Sequence, residues 1–485
     1  MLYMPRDGLL WDTSIICHKD QYYLFSMFRF FDGDERYVWC AVSDDGVHFR
    51  DVGTVITDEQ PVWKMFVHKC ADIFVMNYGS LSGRPGHSND TLKFYVSEDL
   101  LHWTELKNES SSHPDPRWYR GEGRWDHMYT VEYNGKYYGY VVATAKTELG
   151  TCGCGMMESD DGIHWRTLPP VKINWGNREP VNFEVGGCEK IGGKFYLIGG
   201  TFCHHGNGGY AVFTFEADTP LGPFSPLVNG YRLCGSSLAD EHRGVQWLAS
   251  FGRDLSGDVI LTNYITAQHS PVTNFIGTKE NVWLTPIKKA VVDGKGILRM
   301  AWWQNNECLK GTRIAGREIR NALFQVSADS LTSEIGRSEK TYQLVNSITE
   351  NGVVIEGFAC VTSDGHFNPA KFGFAFQAKD GFRTITVQAG NPDYTHAEIV
   401  DYQEIGQLQC RVVDVIEPTT AGKTNIIPGK QFSFRLLFRK DIFELYVDDI
   451  LVQTYLSLDQ TRAIYLYLEN AKAESGYVHI YEMTL

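Results

Sequence analysis

The stretch SDDGVHF at residues 43–49 recurs as SEDLLHW at residues 97–103 and as SDDGIHW at residues 159–165. A degenerate fourth copy, ADTPLGPF, occupies residues 217–224. Each copy follows a run of strand-forming residues, and its Asp-Gly or related step suits a tight turn before an aromatic residue that begins another strand. A repeat of this length, built from strands and turns, is typical of four-stranded propeller blades.

Four copies of the turn, followed by a last pair of apparent strands at residues 245–251 and 259–266, predict five blades. The pattern changes near Leu284, and from about Arg320 the strands become longer and alternate apolar with polar residues, as in Phe432–Phe438. Period-2 strands separated by regular turns indicate an antiparallel β-sandwich. The sequence therefore predicts an all-β chain: a five-bladed β-propeller over residues 1–285, a connector over 286–319 and a β-sandwich over 320–485.

Charge and composition restrict the class of partner. The chain of 485 residues carries a net charge of −14, which argues against binding to nucleic acid or to an anionic membrane surface. No run of 18 apolar residues is present, so no transmembrane helix is expected. Met1–Asp7 does not have the basic start and apolar stretch of a signal peptide, so we expect either a cytoplasmic protein or one whose leader has been removed.

Three acidic residues stand at matching places in three repeats. Asp12, Asp126 and Glu184 each lie ten or eleven residues before an aromatic residue of the strand that follows. The first strand of each propeller blade lines the central channel, so these carboxylates are expected to converge there. Like charges raise one another's pKa and are costly to hold together, which indicates a chemical role. Three acids around one pocket suit glycoside cleavage.

Aromatic residues are predicted near the same channel. The same offset, counted back in the second repeat, leads to Trp63, and the corresponding region of the fifth contains Trp247. Indole faces can hold a sugar ring, so both are candidate substrate-binding residues.

Other chemistry-bearing residues are interpreted as structural. His48, His102 and His164 recur in the turns, and we expect them to pack or bond within those turns. Cys203-His204-His205 is not accompanied by acids at a recognisable metal spacing, and no phosphate or dinucleotide motif is present. No metal or cofactor is therefore predicted.

With these motifs the chain resembles the clan of five-bladed propeller glycosidases that contains glycoside hydrolase families 32, 43 and 68. It resembles family 32 most, because that family adds a C-terminal β-sandwich. The resemblance implies that Asp12 is the nucleophile, Asp126 the transition-state stabiliser and Glu184 the acid/base. The family's Asn-Asp-Pro-Asn, Arg-Asp-Pro and Glu-Cys motifs are replaced here, so the acids are kept while the residues that flank them differ. The flanking residues that we assign to substrate binding are Trp11, Arg124, Trp125 and His127.

The resemblance implies a retaining, exo-acting glycosidase that acts on β-fructofuranosides or related furanosides, with an oligosaccharide or small glycoside as its partner. An inverting arabinofuranosidase or xylosidase of the family 43 type is the alternative. A carbohydrate-binding propeller without activity is a third, although a lectin has no need of three matched acids.

Overall fold

The computed structural model describes residues 2–33, 35–83, 89–107, 113–146, 153–175, 183–202, 210–226, 232–235, 245–266, 282–318, 339–365, 367–379, 381–390, 397–402, 410–415, 426–457 and 460–485. The fold is an all-β five-bladed propeller followed by a C-terminal β-sandwich, as the repeats predicted. The helical structure within these ranges is one short 3-10 segment, Gln304–Leu309. None of it has the length and hydropathy needed to span a bilayer.

The first four blades are antiparallel sheets whose strands pair in sequence order, except for the last strand of blade four. Blade one contains β1 (Gly8–His18), β2 (Gln21–Phe30), β3 (Tyr37–Ser43) and β4 (Arg50–Ile56). Blade two contains β5 (Met65–Cys70), β6 (Ile73–Ser80), β7 (Thr91–Ser97) and β8 (Thr104–Glu105). Blade three contains β9 (Trp125–Tyr133), β10 (Lys136–Ala143), β11 (Cys154–Ser159) and β12 (Arg166–Leu168). Blade four contains β13 (Glu184–Ile191), β14 (Lys194–Phe202), β15 (Tyr210–Ala217), β16 (Ser225–Pro226) and β17 (Arg232–Gly235), the last of which pairs with β15.

Blade five is built from interrupted strands. Its inner position is shared by β18 (Val245–Gln246) and β19 (Ser250–Arg253), its next by β20 (Val259–Thr262) and β21 (Tyr264–Thr266), and its third by β22 (Val282–Leu284) and β23 (Lys288–Val292). The first residues of the chain pair with this blade, since Leu2 N–H donates to the Leu284 carbonyl and Leu284 N–H donates to that of Tyr3. This pairing ties the last blade to the start of the chain.

The repeated turns owe their shape to one Ser, one Asp and one His. In the first copy, Ser43 Oγ accepts from Gly46 N–H, and Asp45 Oδ1 accepts from the backbone N–H groups of Val47 and His48. The ring Nδ1 of His48 lies 2.6 Å from Asp45 Oδ2. His102 and His164 make the same contact with Asp99 and Asp161. The turn histidines therefore bond within their own turns, as predicted.

Neighbouring blades are joined by buried polar contacts as well as by apolar packing. Asn77 of blade two donates to the Met128 carbonyl of blade three at 2.9 Å, and its Oδ1 accepts from Met128 N–H at 2.7 Å. The Glu189 carboxylate of blade four accepts from Tyr129 of blade three and from Arg253 of blade five. Because buried polar groups need partners, these contacts fix the angular position of each inner strand around the channel.

The C-terminal part of the chain contains the two sheets of the sandwich. One has the order β24-β34-β33-β32-β27-β36-β25 and the other the order β26-β35-β28-β29-β30-β31. Their bounds are β24 (Leu298–Trp302), β25 (Lys310–Glu318), β26 (Glu339–Val345), β27 (Val353–Ser363), β28 (Lys371–Ala378), β29 (Gly381–Gln388), β30 (Ala397–Tyr402), β31 (Cys410–Val415), β32 (Gln431–Arg439), β33 (Ile442–Val447), β34 (Ile450–Leu456), β35 (Ala463–Glu469) and β36 (Ala471–Met483). Phenylalanines alternate inward from both sheets and meet between them, as Phe376 does with Phe443 at a ring separation of 4.8 Å.

The described chain divides into two compact units, with the boundary between Leu298 and Arg299. The first unit contains the inner strands of all five blades, and the second contains the sandwich. The three-part boundaries given above, including a separate connector, stay a prediction.

Candidate active site

Each of the three acids lies at or beside a β-bulge on the inner strand of its blade. Asp12 and Thr13 together face Ser26, so the pairing of β1 with β2 shifts by one residue. The register of β9 shifts in the same way at Asp126 and His127, and that of β13 shifts just after Glu184. A bulge bends its strand and re-aims a side chain, which explains how three separate strands direct a carboxylate toward the same place.

Asp12 has a backbone conformation that few residues adopt. Its φ is +46°, in the left-handed region where Asp and Asn are tolerated better than most other non-glycine residues. Burial raises the pKa of the Asp12 carboxyl, the positive charge of Lys64 opposes this, and the charges of Glu184 and Asp126 raise the pKa further. These three charged groups therefore surround Asp12 in the folded chain.

Asp126 is buried and strongly bonded, with 1% of its side chain exposed. Arg124 Nη2 donates to its Oδ2 at 2.7 Å, and the backbone N–H of His127 donates to its Oδ1 at 2.7 Å. Burial alone would raise the pKa of this carboxyl, but the charges and hydrogen bonds of His127 and Arg124 hold it well below its usual range. Asp126 is therefore ionised. A Cβ at Gly79 would overlap its Oδ1, so a glycine there leaves room for the carboxylate.

Glu184 shares its arginine with Asp126. Arg124 Nη1 donates to Glu184 Oε1 at 3.2 Å, while the hydroxyl of Tyr210 donates to Oε2 at 2.9 Å. Burial alone would lower the pKa of Arg124, but the two carboxylates outweigh it and raise that pKa above its usual value. One guanidinium thus joins two of the three predicted acids in a fixed geometry.

Lys64 is a fifth charged member of the site, and sequence reasoning missed it. Its side chain is buried, with 1% exposed, and its Nζ donates to Ser250 Oγ. Burial lowers the pKa of Lys64 to about 8, although the charges of Asp12, Glu184 and Asp126 all act to raise it. Its backbone carbonyl accepts from Gly79 N–H, so the residue continues the pairing of blade two.

Aromatic side chains cover one side of the acids. Burial and the negative charges of Asp12 and Glu184 raise the pKa of the Tyr264 hydroxyl. The indole of Trp247 is parallel to the Tyr264 ring, with centroids 6.5 Å apart, and lies 4.8 Å from the ring of Tyr210. Trp247 is half-buried, so part of its surface is accessible. Trp247 therefore neighbours Tyr210, which bonds Glu184, and Tyr264, whose hydroxyl feels the charges of Asp12 and Glu184.

Trp63 lies on another side of the site. The Arg36 guanidinium stacks 4.0 Å from the centre of its indole ring, and the charge of Asp12 acts on that guanidinium. Trp63 is half-buried. One face of this indole is therefore covered by a cation, so only the remainder of the ring is available to a ligand.

The structure does not bring every predicted substrate-binding residue to the carboxylates. Trp125 is fully buried and packs in an apolar cluster with Tyr119 and Met128, so it lies in the core rather than at the site. Trp11 is buried as well, with the Arg29 guanidinium over its ring at 5.8 Å. His127 is 2% exposed, and its ring Nε2 bonds the Val185 carbonyl of blade four at 3.1 Å. Its ring is therefore buried between blades. Arg124 contacts both Asp126 and Glu184, whereas His127 contacts Asp126 alone, through its backbone N–H and through Nδ1 at 3.4 Å.

One other prediction falls on residues that the structure does not describe, since Cys203-His204-His205 lies outside the described ranges.

Comparison with known proteins relates the chain to one group of enzymes through its fold. No family model matches the sequence, and neither does any curated protein. Solved structures do match along nearly the whole chain. The chain is similar to a family 32 β-fructofuranosidase from Bombyx mori at 12% identity, covering 99% of this chain and 92% of that one with a TM-score of 0.65.

Two further structures give the same result. Sucrose-6-phosphate hydrolase from Lactobacillus gasseri matches at 12% identity, over 99% of this chain and 92% of that one, with a TM-score of 0.69. Fructan 1-exohydrolase IIa from Cichorium intybus, solved in complex with 1-kestose, matches at 12% identity, over 99% and 96%, with a TM-score of 0.65. The chain therefore has the propeller-and-sandwich fold of the family 32 glycoside hydrolases, and its likeness to them is one of fold.

Proposed function

We propose that the protein is a glycoside hydrolase that releases a terminal β-fructofuranosyl or related furanosyl unit with retention of configuration. The observation that supports this most is the convergence of three carboxylates from three inner strands, since Arg124 bonds Asp126 and Glu184 and the charges of both act on Asp12. The fold relatives act on fructosides by their printed names, which is consistent with such a substrate.

The proposed reaction has two steps. A carboxylate oxygen of Asp12 attacks the anomeric carbon while Glu184 donates its proton to the glycosidic oxygen, so that the bond to the leaving group breaks and a glycosyl ester forms on Asp12. Water then attacks the anomeric carbon, Glu184 takes the proton of that water, and the ester bond to Asp12 breaks. The free sugar leaves, and both carboxyl groups return to their starting state.

The other polar groups of the site have roles that follow from their contacts. Asp126 is held ionised, so it is suited to accept hydrogen bonds from sugar hydroxyls as positive charge develops on the ring. Tyr210 hydrogen-bonds the Glu184 carboxyl group, which restricts the rotation of that group. The Lys64 side chain extends from blade two to Ser250 of blade five, and its charge acts on all three acids.

The proposed activity is tested with the purified protein and a set of aryl furanosides and pyranosides, together with sucrose and fructans. We expect hydrolysis of a furanoside, and proton NMR of the first product should show the anomer of the substrate. First release of the opposite anomer would identify the inverting family 43 type of reaction. Binding of sugars by calorimetry without any hydrolysis would identify a carbohydrate-binding propeller instead.

Trp247 is proposed to hold a sugar ring against its indole face, because it is half-buried beside Tyr210 and Tyr264. Substituting Leu removes the indole face while keeping part of the apolar volume. We expect Trp247→Leu to raise KM by about tenfold, since a lost ring contact of ~1.4 kcal/mol corresponds to that factor. A folded Trp247→Leu variant with unchanged KM would show that the ring is structural. Trp125→Leu serves as the matched comparison, because that indole lies in the core and should affect stability rather than KM.

A further inference from the structure

Lys64 reaches across the centre of the propeller. The inner strands pack as a ring in which β5 contacts β1 and β9, and β19 contacts β13 and β1. Lys64 directly precedes β5 in blade two, and its Nζ donates to Ser250 at the start of β19 in blade five. Blades two and five are not neighbours in this ring, so the side chain crosses the channel.

The groups that face Lys64 come from every side of the channel. Asp12 on β1, Asp126 on β9 and Glu184 on β13 act on it as charges, Ser250 on β19 accepts its hydrogen bond, and Phe66 on β5 lies under its ammonium at 4.9 Å. Holding an ammonium away from water is costly unless opposite charges compensate it. The three carboxylates offset part of that cost, which ties the presence of this cation to the candidate site.

We infer that Lys64 is a positioning residue of the candidate site, whose ammonium, anchored on Ser250, stabilises the negative charge on Asp12 before attack and on Glu184 afterwards. The inference rests on the proposed function. In the proposed reaction Asp12 loses its negative charge when the ester forms, and Glu184 gains one when it gives up its proton. The charge of Lys64 acts on both carboxylates. The negative charge therefore passes from Asp12 to Glu184 while it stays within reach of the same cation.

The alternative is that Lys64 is a structural support whose charge has no part in the reaction. Lys288 provides the matched control, because it is a second fully buried lysine of the same unit and its Nζ donates to the side-chain oxygens of Thr285 and Asn263. If burial of a lysine matters only for folding, Lys64→Met and Lys288→Met should have similar consequences.

The first test measures coupling between Lys64 and Asp12 without using activity. Thermal unfolding at neutral pH is followed for the parent protein, Lys64→Met, Asp12→Asn and the double variant. We expect Lys64→Met to lower Tm more when residue 12 is Asp than when it is Asn, by about 2 °C or more, since the cation then has a charge to stabilise. The corresponding cycle with Lys288→Met should be additive. Additivity in the Lys64 cycle would overturn the inference.

The second test is the pH dependence of kcat/KM. An opposite charge nearby lowers the pKa of a carboxyl group, so its removal should move the acidic limb of the profile upward by about one pH unit or more in Lys64→Met. Ser250→Ala keeps the charge and should move this limb less, and Lys288→Met should leave it in place. Activity that falls equally at every pH, with the acidic limb unmoved, would show that Lys64 is a support only.

Lys64→Gln, which is shorter and polar, is tested in the same way if Lys64→Met does not yield folded protein, and the same outcomes decide the inference. The two tests also separate this inference from the proposed function. If the parent protein hydrolyses no glycoside, the proposed function fails, while the thermal cycle still decides whether Lys64 stabilises the Asp12 carboxylate.

Discussion

Asp12→Asn is expected to reduce kcat by about 10⁴-fold, because an amide cannot act as the attacking carboxylate. The backbone dictates the choice of substitution. Asp12 has a φ of +46°, which Asn tolerates and Ala does not, so an Ala variant would add strain to the chemical defect. A folded Asp12→Asn variant should therefore report on chemistry alone, measured as kcat on the best substrate with circular dichroism and thermal unfolding as checks.

A control and a rescue make this test specific. Asp45→Asn changes an acid of a repeated turn, and activity per folded molecule should stay at the parent level. Asp12→Gly keeps the left-handed backbone accessible and leaves space, so added azide should restore turnover and give a glycosyl azide. Near-parental activity in Asp12→Asn would remove Asp12 from the mechanism. Rescue that yields no azide adduct would argue against nucleophilic attack by Asp12.

The repeats made much of the fold predictable. A short turn that recurs four times requires a fixed backbone geometry, and the Ser, Asp and His that define it bond within the turn at each copy for which His is present. Asp12, Asp126 and Glu184 each lie ten or eleven residues before an aromatic residue of the next strand, and this repeated spacing identified three inner strands. Equivalent positions in related blades occupy equivalent places around an axis, so sequence spacing translates directly into proximity.

The remaining members of the site have no repeated offset. Tyr210 begins the third strand of blade four and Tyr264 lies on the second strand of blade five, so each reaches the acids from a different part of its blade. Lys64 directly follows Trp63, the residue to which the offset in the second repeat leads. A lysine at such a position is ordinarily exposed to solvent, so the sequence alone does not indicate that it is buried. Only the closed ring shows that it meets Ser250, 186 residues further along the chain.

Trp125 illustrates where local reasoning was insufficient. Its neighbour Asp126 faces the channel, and alternation along a strand would place Trp125 on the opposite face, which is where the core cluster lies. Proximity in sequence to a candidate catalytic acid is therefore a poor guide to which neighbouring side chains reach the site. Arg124 and His127 are both within two residues of Asp126, yet their side chains have different partners. Arg124 bonds Asp126 and Glu184, whereas the His127 ring bonds the Val185 carbonyl. The bulge at Asp126 and His127 interrupts the alternation of side chains along the strand.

Arg124→Met is expected to lower kcat/KM by about 100-fold or more and to destabilise the protein by about 3 kcal/mol. The guanidinium contacts Asp126 at 2.7 Å and Glu184 at 3.2 Å, and it is the group that joins them. Removing it leaves a buried carboxylate without its main partner, which typically costs 3–5 kcal/mol, reduced here because 21% of the arginine side chain is exposed. A displacement of a reacting group by about 1 Å is sufficient for a 100-fold loss of rate.

Two further variants identify the property of Arg124 that matters. Arg124→Lys keeps the charge but lacks the planar fork that reaches two carboxylates, so it should recover part of the stability and little of the rate. Arg117→Met removes an exposed arginine that pairs with Asp115, and both stability and rate should change little. The measurements are kcat/KM and unfolding in denaturant. Full activity in Arg124→Lys would mean that charge alone is required, whereas full activity in Arg124→Met would show that the two carboxylates keep their positions without it.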